Sequence, residues 1–239
     1  MRRLFLIFLL ACLPLESWAA AITHGVTLSS NSNASSYTTA SFTPTNGDLL
    51  VLLASIWDTT TDPGTVSDSL GGSWTRVFDY DTDYQSVWIR SAFSDGSALT
   101  VTVDVTGDPA TGAILFVARA SGMSRTGAAA FRQGNNNTGG GGTAPNTTFA
   151  AAALTGNPTI AKMHNITNPA GLTPPTNWTE QVDTGHNQPT AGAEYATRDS
   201  GFTGTTITWG SSSASGWRAV SIELDSSAPS AGRRVIVVN

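Results

Sequence analysis

The sequence predicts an all-β protein built as a sandwich with an internal duplication, and three observations predict it. First, Leu99, Val101, Val103 and Val105 alternate with Thr100, Thr102 and Asp104, the period of two of a half-buried strand. Second, Leu49 to Ala54 and Ala113 to Ala120 are continuous apolar runs of strand length, which suit central strands buried on both faces. Third, the second half repeats the first. Trp74-Thr75 is answered by Trp178-Thr179, 104 residues on, and an acid follows each pair, Asp79 and Asp183. Phe42 to Leu50 parallels Phe149 to Ile160, Gly96 to Val103 parallels Gly204 to Trp209, and Ala113 to Ala118 parallels Arg218 to Leu224. A unit of about 80 residues that occurs only twice is neither a solenoid nor a propeller.

In chain order, Ile22 to Phe42 reads as two strands around a polar loop. Gly47-Asp48 is a turn, Leu49 to Ala54 a strand, and Asp58 to Leu70 a loop with Pro63-Gly64 as its turn signal. Trp74 to Asp79 and Ser86 to Phe93 form a hairpin bent at Asp81 to Tyr84, and Leu99 to Val105 and Ala113 to Ala120 close the half. The Gly/Asn-rich segment 123–145, with Asn135-Asn136-Asn137 and Gly139 to Gly142, reads as a long connecting loop. Strands are then expected at Thr147 to Leu154, Thr159 to His164, Trp178 to Val182, Ala191 to Arg198, Thr205 to Trp209 and Trp217 to Leu224. Half-repeats of about 38–122 and 146–225 thus share one domain, 22–225, with a tail at 226–239. Some dozen short strands with regular turn signals argue a sandwich or barrel. Trp74 and Trp178 are expected to be matching core pegs.

Of 239 residues, 40 % are apolar and only 12 % charged. Such a chain can bury a core, and its Ser, Thr and Asn suit strand faces and loops. A net charge of −5 gives no nucleic-acid footprint. Arg2-Arg3, the short apolar run Leu4 to Leu13 and small residues at Ala19 to Ala21 have the pattern of a secretory leader over 1–21, cut after Ala19 or Ala21. The run is too short to span a bilayer, which needs about 20 residues. Cys12, the only cysteine, makes lipidation at a loose lipobox the alternative. Beyond it no disulfide or thiol chemistry is available.

The succession GDLLVLLAS, SDSLGGSWTRV, VWIRSAF, SALTVTV and ILFVARASG resembles a jelly-roll-like β-sandwich domain of about 200 residues found in tailed-phage structural proteins and exported bacterial surface proteins. The resemblance covers roughly residues 22 to 225. It implies a jelly-roll-like two-sheet sandwich serving as a displayed structural or binding module, on a cell surface or on a virion, with no catalytic residues to carry over. Asp68, Gly71 and Trp74 match its D-x-x-G-x-x-W-T segment, whereas the second half has Pro174-Pro175 where the turn should be.

Chemistry is sparse. There is no Gly-x-Ser-x-Gly elbow and no His-Glu-x-x-His, and His24, His164 and His186 are scattered. The chain reads as non-enzymatic. Asp79, Asp81 and Asp83 are the sharpest cluster: three carboxylates at spacing two repel unless solvated or bound to a cation such as calcium. A glycan-active hydrolase would need paired carboxylates, and no Glu lies within this stretch. Trp57, Tyr84 and Trp217 are the candidate ligand-binding aromatics, with Trp57 and Trp217 expected to be exposed for stacking on a sugar. Expected partners are therefore surface glycan, or other copies or proteins of a surface or virion assembly. The sequons at Asn33, Asn136, Asn146, Asn165 and Asn177 follow from the composition.

Overall fold

The computed structural model describes residues 20–57, 62–80, 85–106, 111–187 and 190–226. The first half contributes β1 (Ala21–Ser30), β2 (Ser36–Thr38), β3 (Leu49–Ile56), β4 (Asp62–Asp68), β5 (Trp74–Tyr80), β6 (Gln85–Arg90), β7 (Val101–Thr106) and β8 (Ala113–Ser121). They form an antiparallel five-stranded sheet, β1-β8-β3-β6-β5, and a three-stranded sheet, β2-β7-β4. After a 3₁₀ turn at Gly127–Ala130 come β9 (Phe131–Gly139), β10 (Asn146–Thr148), β11 (Thr159–Asn165), β12 (Thr179–Asn187), β13 (Thr190–Arg198), β14 (Thr206–Thr208) and β15 (Trp217–Leu224). These make a second five-stranded sheet, β12-β13-β11-β15-β9, and a two-stranded sheet, β10-β14.

The duplication is visible strand by strand. With β9 read as β1, β10 as β2, β11 as β3, β12 as β5, β13 as β6, β14 as β7 and β15 as β8, the two large sheets have the same order. Only β4 has no counterpart among the described residues. Even an irregularity is copied: pairing slips between Arg76 and Phe78 in β5, and between Glu180 and Val182 in β12, again 104 residues on. A bulge adds local twist and bends the strand, so both copies keep the same bent edge.

The all-β, jelly-roll-like sandwich with an internal duplication is therefore what the chain forms, and each half is a two-sheet unit with its own core. Leu50, Leu52, Leu115 and Val117 of the large sheet pack on Tyr37, Val66, Val101 and Val103 of the small one. Ala161, Met163 and Ala196 pack on Phe149, Ile207 and Trp209 in the second half. A third core joins the halves, because the two large sheets pack face to face. Leu49, Val51, Leu53, Phe116 and Ala118 meet Ile160, Tyr195, Val220 and Ile222. Sandwiching each large sheet between two others explains why β3 and β11 are buried along their whole length and why β3 carries no polar alternation. The contacts also look two-fold: β1 lies against β12 and β9 against β5, which are equivalent pairs. Near the centre, the buried Lys162 amine donates to Ala54 O at 2.9 Å and to Ser55 and Gln85. Burial holds that amine well below the usual lysine range.

Three expected boundaries differ. Part of the loop expected over Asp58 to Leu70 is β4, paired with β7. The connecting segment 123–145 is not all loop: its Asn/Gly run is β9, paired with β15. That pairing needs only backbone groups. It is pinned by Arg132 and Gln133, both donating to the fully buried Glu223 carboxylate. Conversely, of Thr147 to Leu154 only Thr147 and Thr148 are in a strand, the short β10. Among the described residues, no helix is long and apolar enough to cross a membrane.

Candidate functional site

Of the predicted site residues, Trp57, Trp217 and Asp79 are described, and each has a partner in the fold. Trp217 is buried, not exposed: it is 2 % accessible, and its indole N–H donates to Thr143 Oγ1 at 2.9 Å. It lies over Gly139 on β9, where any side chain would collide with the indole, so its role is to seat the edge strand. Trp57 follows β3, is partly buried against the shared core, and lies 4.1 Å from the His164 ring. Asp79 forms an ion pair with Arg76 at 2.6 Å, and Arg76 in turn stacks over Trp88. Tyr84, Asp81 and Asp83 lie outside the described residues, as does the His186 side chain. His24 pairs with the Tyr195 hydroxyl at 2.9 Å, and burial and the nearby Arg119 hold its imidazole below the usual value. Among the described residues, no three His, Cys, Asp or Glu side chains group as a metal site.

What the structure does bring together is a Trp–Arg pair in each half. In the first, Trp74 at the start of β5 is opposite Arg90 at the end of β6. Between them, the Asp68 carboxylate at the end of β4 accepts from Arg90 Nε at 2.9 Å and from the Trp74 indole N–H at 3.0 Å. Its other oxygen accepts from the Leu70 and Gly72 backbone N–H groups at 3.0 and 2.9 Å. Gly71 between them takes a φ of 74°, a left-handed turn for which glycine has no steric cost. Gly72 lies so close to Asp68 and Arg90 that a side chain would strike both. This is the physical content of the Asp-x-x-Gly-x-x-Trp segment. Burial alone would raise the Asp68 carboxyl, but the bonds from Arg90, Gly72 and Trp74 outweigh it and hold it below the usual carboxylate range.

The second half keeps the pair and loses the acid. Thr179 pairs with Thr197, as Thr75 pairs with Ile89, which places Trp178 and Arg198 where Trp74 and Arg90 stand. Arg198 donates to the carbonyls of Ser200 and Gly201, at 3.3 and 2.9 Å. Among the described residues no carboxylate pairs with it. In place of β4 runs the Pro174-Pro175 segment. Proline has no N–H to give a strand ladder, so the small sheet stops at two strands. A cavity of about 210 Å³ opens there, lined by Pro175, Thr176, Trp178, Arg198, Phe202 and Thr206 to Thr208. Trp178 and Phe202 meet edge to face at 5.6 Å, and the Arg198 guanidinium lies 5.9 Å from the Phe202 ring centre. The site thus offers aromatic surface, a permanent positive charge and threonine hydroxyls at one rim. Sequence reasoning missed it, although the signal was in view: Pro174-Pro175 replaces the acid-bearing turn before a retained Trp.

Comparison of the chain with family models, with curated proteins and with solved structures finds no match. The architecture stands on its own strand pairings, and the function must be argued from the site.

Proposed function

We propose that this chain is a non-catalytic adhesive module that holds a sugar, displayed on a cell surface or on a virion. The observation that carries this reading is the cavity at Trp178, Phe202 and Arg198. An aromatic face covers the C–H face of a sugar ring, and the neighbouring polar groups take its hydroxyls. The cavity has room for about one ring, which suits weak contacts summed over many copies more than capture of a single free ligand. Display is supported by the leader pattern of residues 1–21 and by the resemblance to phage and surface sandwiches.

Binding of the purified, fluorescently labelled protein to a panel of immobilised neutral and acidic glycans tests this. Signal is expected on a subset of glycans and is expected to fall in Trp178→Ala with the fold retained by circular dichroism. No signal on any glycan rejects the sugar reading. Where the protein is found, on the outer surface of the cell or in purified particles, separates the two sites of display.

A further inference from the structure

We infer that the ligand of this cavity is an acidic sugar, whose carboxylate pairs with the Arg198 guanidinium as Asp68 pairs with that of Arg90. The inference rests on the sugar-binding reading and sharpens it. The first half shows what the Trp–Arg pair is built to hold. Arg90 Nε and the Trp74 indole N–H both point at one carboxylate oxygen. Arg90 is further steadied by a bond to the carbonyl three residues on, Phe93 O, at 3.1 Å. Arg198 also bonds the carbonyl three residues on, Gly201 O at 2.9 Å, but through Nη2 where Arg90 uses Nη1, and its Nε donates to Ser200 O at 3.3 Å, so it is the Nη1 side that faces an outside carboxylate. The element that supplied the acid is missing, and a cavity stands there.

A guanidinium stays charged at any working pH, and its fork matches a carboxylate. Among the described residues no carboxylate fills that place, and the ligand is the partner that would bring one. Trp178 and Phe202 add a requirement: the acid should be attached to a ring that can lie on them. Thr206 and Thr208 at the rim suit hydroxyls on that ring. Together these select a carboxylated sugar, of the uronic acid type, over a neutral sugar or a simple acid.

The experiment titrates the full chain, followed by tryptophan fluorescence and calorimetry, with trigalacturonate, its methyl ester and acetate. The ester keeps the ring and removes the charge; acetate keeps the charge and removes the ring. Trigalacturonate is expected to bind roughly tenfold or more tightly than the ester, the worth of one charged hydrogen bond. Arg198→Gln should erase that difference, and Arg198→Lys should restore only part of it. Thr176→Asp, which sets a carboxylate of the chain at the rim, should weaken trigalacturonate binding as the internal competitor does in the first half. Equal affinity for acid and ester overturns the carboxylate assignment and leaves the sugar reading standing. Acetate binding as tightly as trigalacturonate overturns the ring. Trigalacturonate binding that Arg198→Gln leaves unchanged overturns the site. If trigalacturonate does not bind while the glycan panel is positive, this inference alone falls; a negative panel removes both.

Discussion

In the first half Arg90 is 9 % exposed against a fully buried Asp68 side chain; in the second, Arg198 is half-buried at the mouth of a cavity. The two arginines hold equivalent places on equivalent strands, β6 and β13, of the two large sheets, and differ in what the chain sets before them: Asp68 accepts from Arg90 Nε, the Ser200 carbonyl from Arg198 Nε. In the first half the pair is structural: it ties β4 to β5 and β6 and completes a three-stranded small sheet. In the second the tie is cut, the small sheet is one strand shorter, and the retained Trp and Arg, released from the acid, line a cavity instead. Duplication makes that loss tolerable. The large sheet of the second half is covered on its other face by the first half, so its stability does not depend on a complete small sheet.

The comparison is broken most directly at Asp68. Asp68→Ala removes the acceptor of four hydrogen bonds and leaves Arg90 buried without its partner, which should cost about 3–5 kcal/mol in urea denaturation. The same measurement on Arg198→Ala should show a change within about 1 kcal/mol, because a partly exposed cation with two carbonyl partners contributes little. Comparable losses in the two variants would mean that Arg198 is as structural as Arg90, and the released-pair account would fail.

The two tryptophans sharpen it. Trp74 is 9 % exposed and bonded through its indole N–H, so Trp74→Ala should cost about 3–5 kcal/mol. Trp178 is only partly buried at the edge of its core, and Trp178→Ala should cost about 1–2 kcal/mol, since less apolar surface returns to water. A Trp178→Ala variant that melts as early as Trp74→Ala would make it a core peg like its counterpart, the role the repeat alone suggests.

Much of this frame is legible in the residues. The apolar runs that become β3 and β8 carry their burial on both faces openly, and the Trp-Thr repeat gives the register of β5 against β12 to the residue. Three things are not legible, each for a physical reason. β9 is made of Asn, Gly and Thr, and an edge strand needs backbone groups more than apolar side chains. Trp217 lies at a strand end like any exposed tryptophan, and only the glycine opposite it, Gly139, 78 residues away in sequence, shows that it is covered. The cavity is an absence of β4, and Pro174-Pro175, which marks that absence, does not by itself show a space. It follows only when Asp68 is known to fill the same space in the other half.

The finest contrast is between two residues at equivalent places, Ser86 and Glu194. Ser86 is paired with Ala54 and Glu194 with Met163 in the matching ladders. Ser86 is neutral and accepts from the Trp88 indole N–H at 2.9 Å. Glu194 is fully buried: one oxygen accepts from Leu172 N–H at 2.7 Å, and the other has no partner among the described residues. Burial pushes its carboxyl up to about 8; the Leu172 bond opposes this, and the charges of Glu180 and Asp183 add to it. The unfolded chain releases that proton near the ordinary value of about 4.5. Between there and about 8 the folded state therefore holds a proton that the unfolded state has lost. Glu194 thus lowers stability progressively as pH rises through that window, and the loss levels off above it. Asp183, raised by burial and by Glu180, acts in the same direction. Glu194→Gln keeps the shape and removes the titration. Its urea midpoint should fall less steeply than the wild type's across the window and should exceed it at the alkaline end. If the two pH profiles run parallel, the charge of Glu194 on β13 does not set the loss of stability across this window.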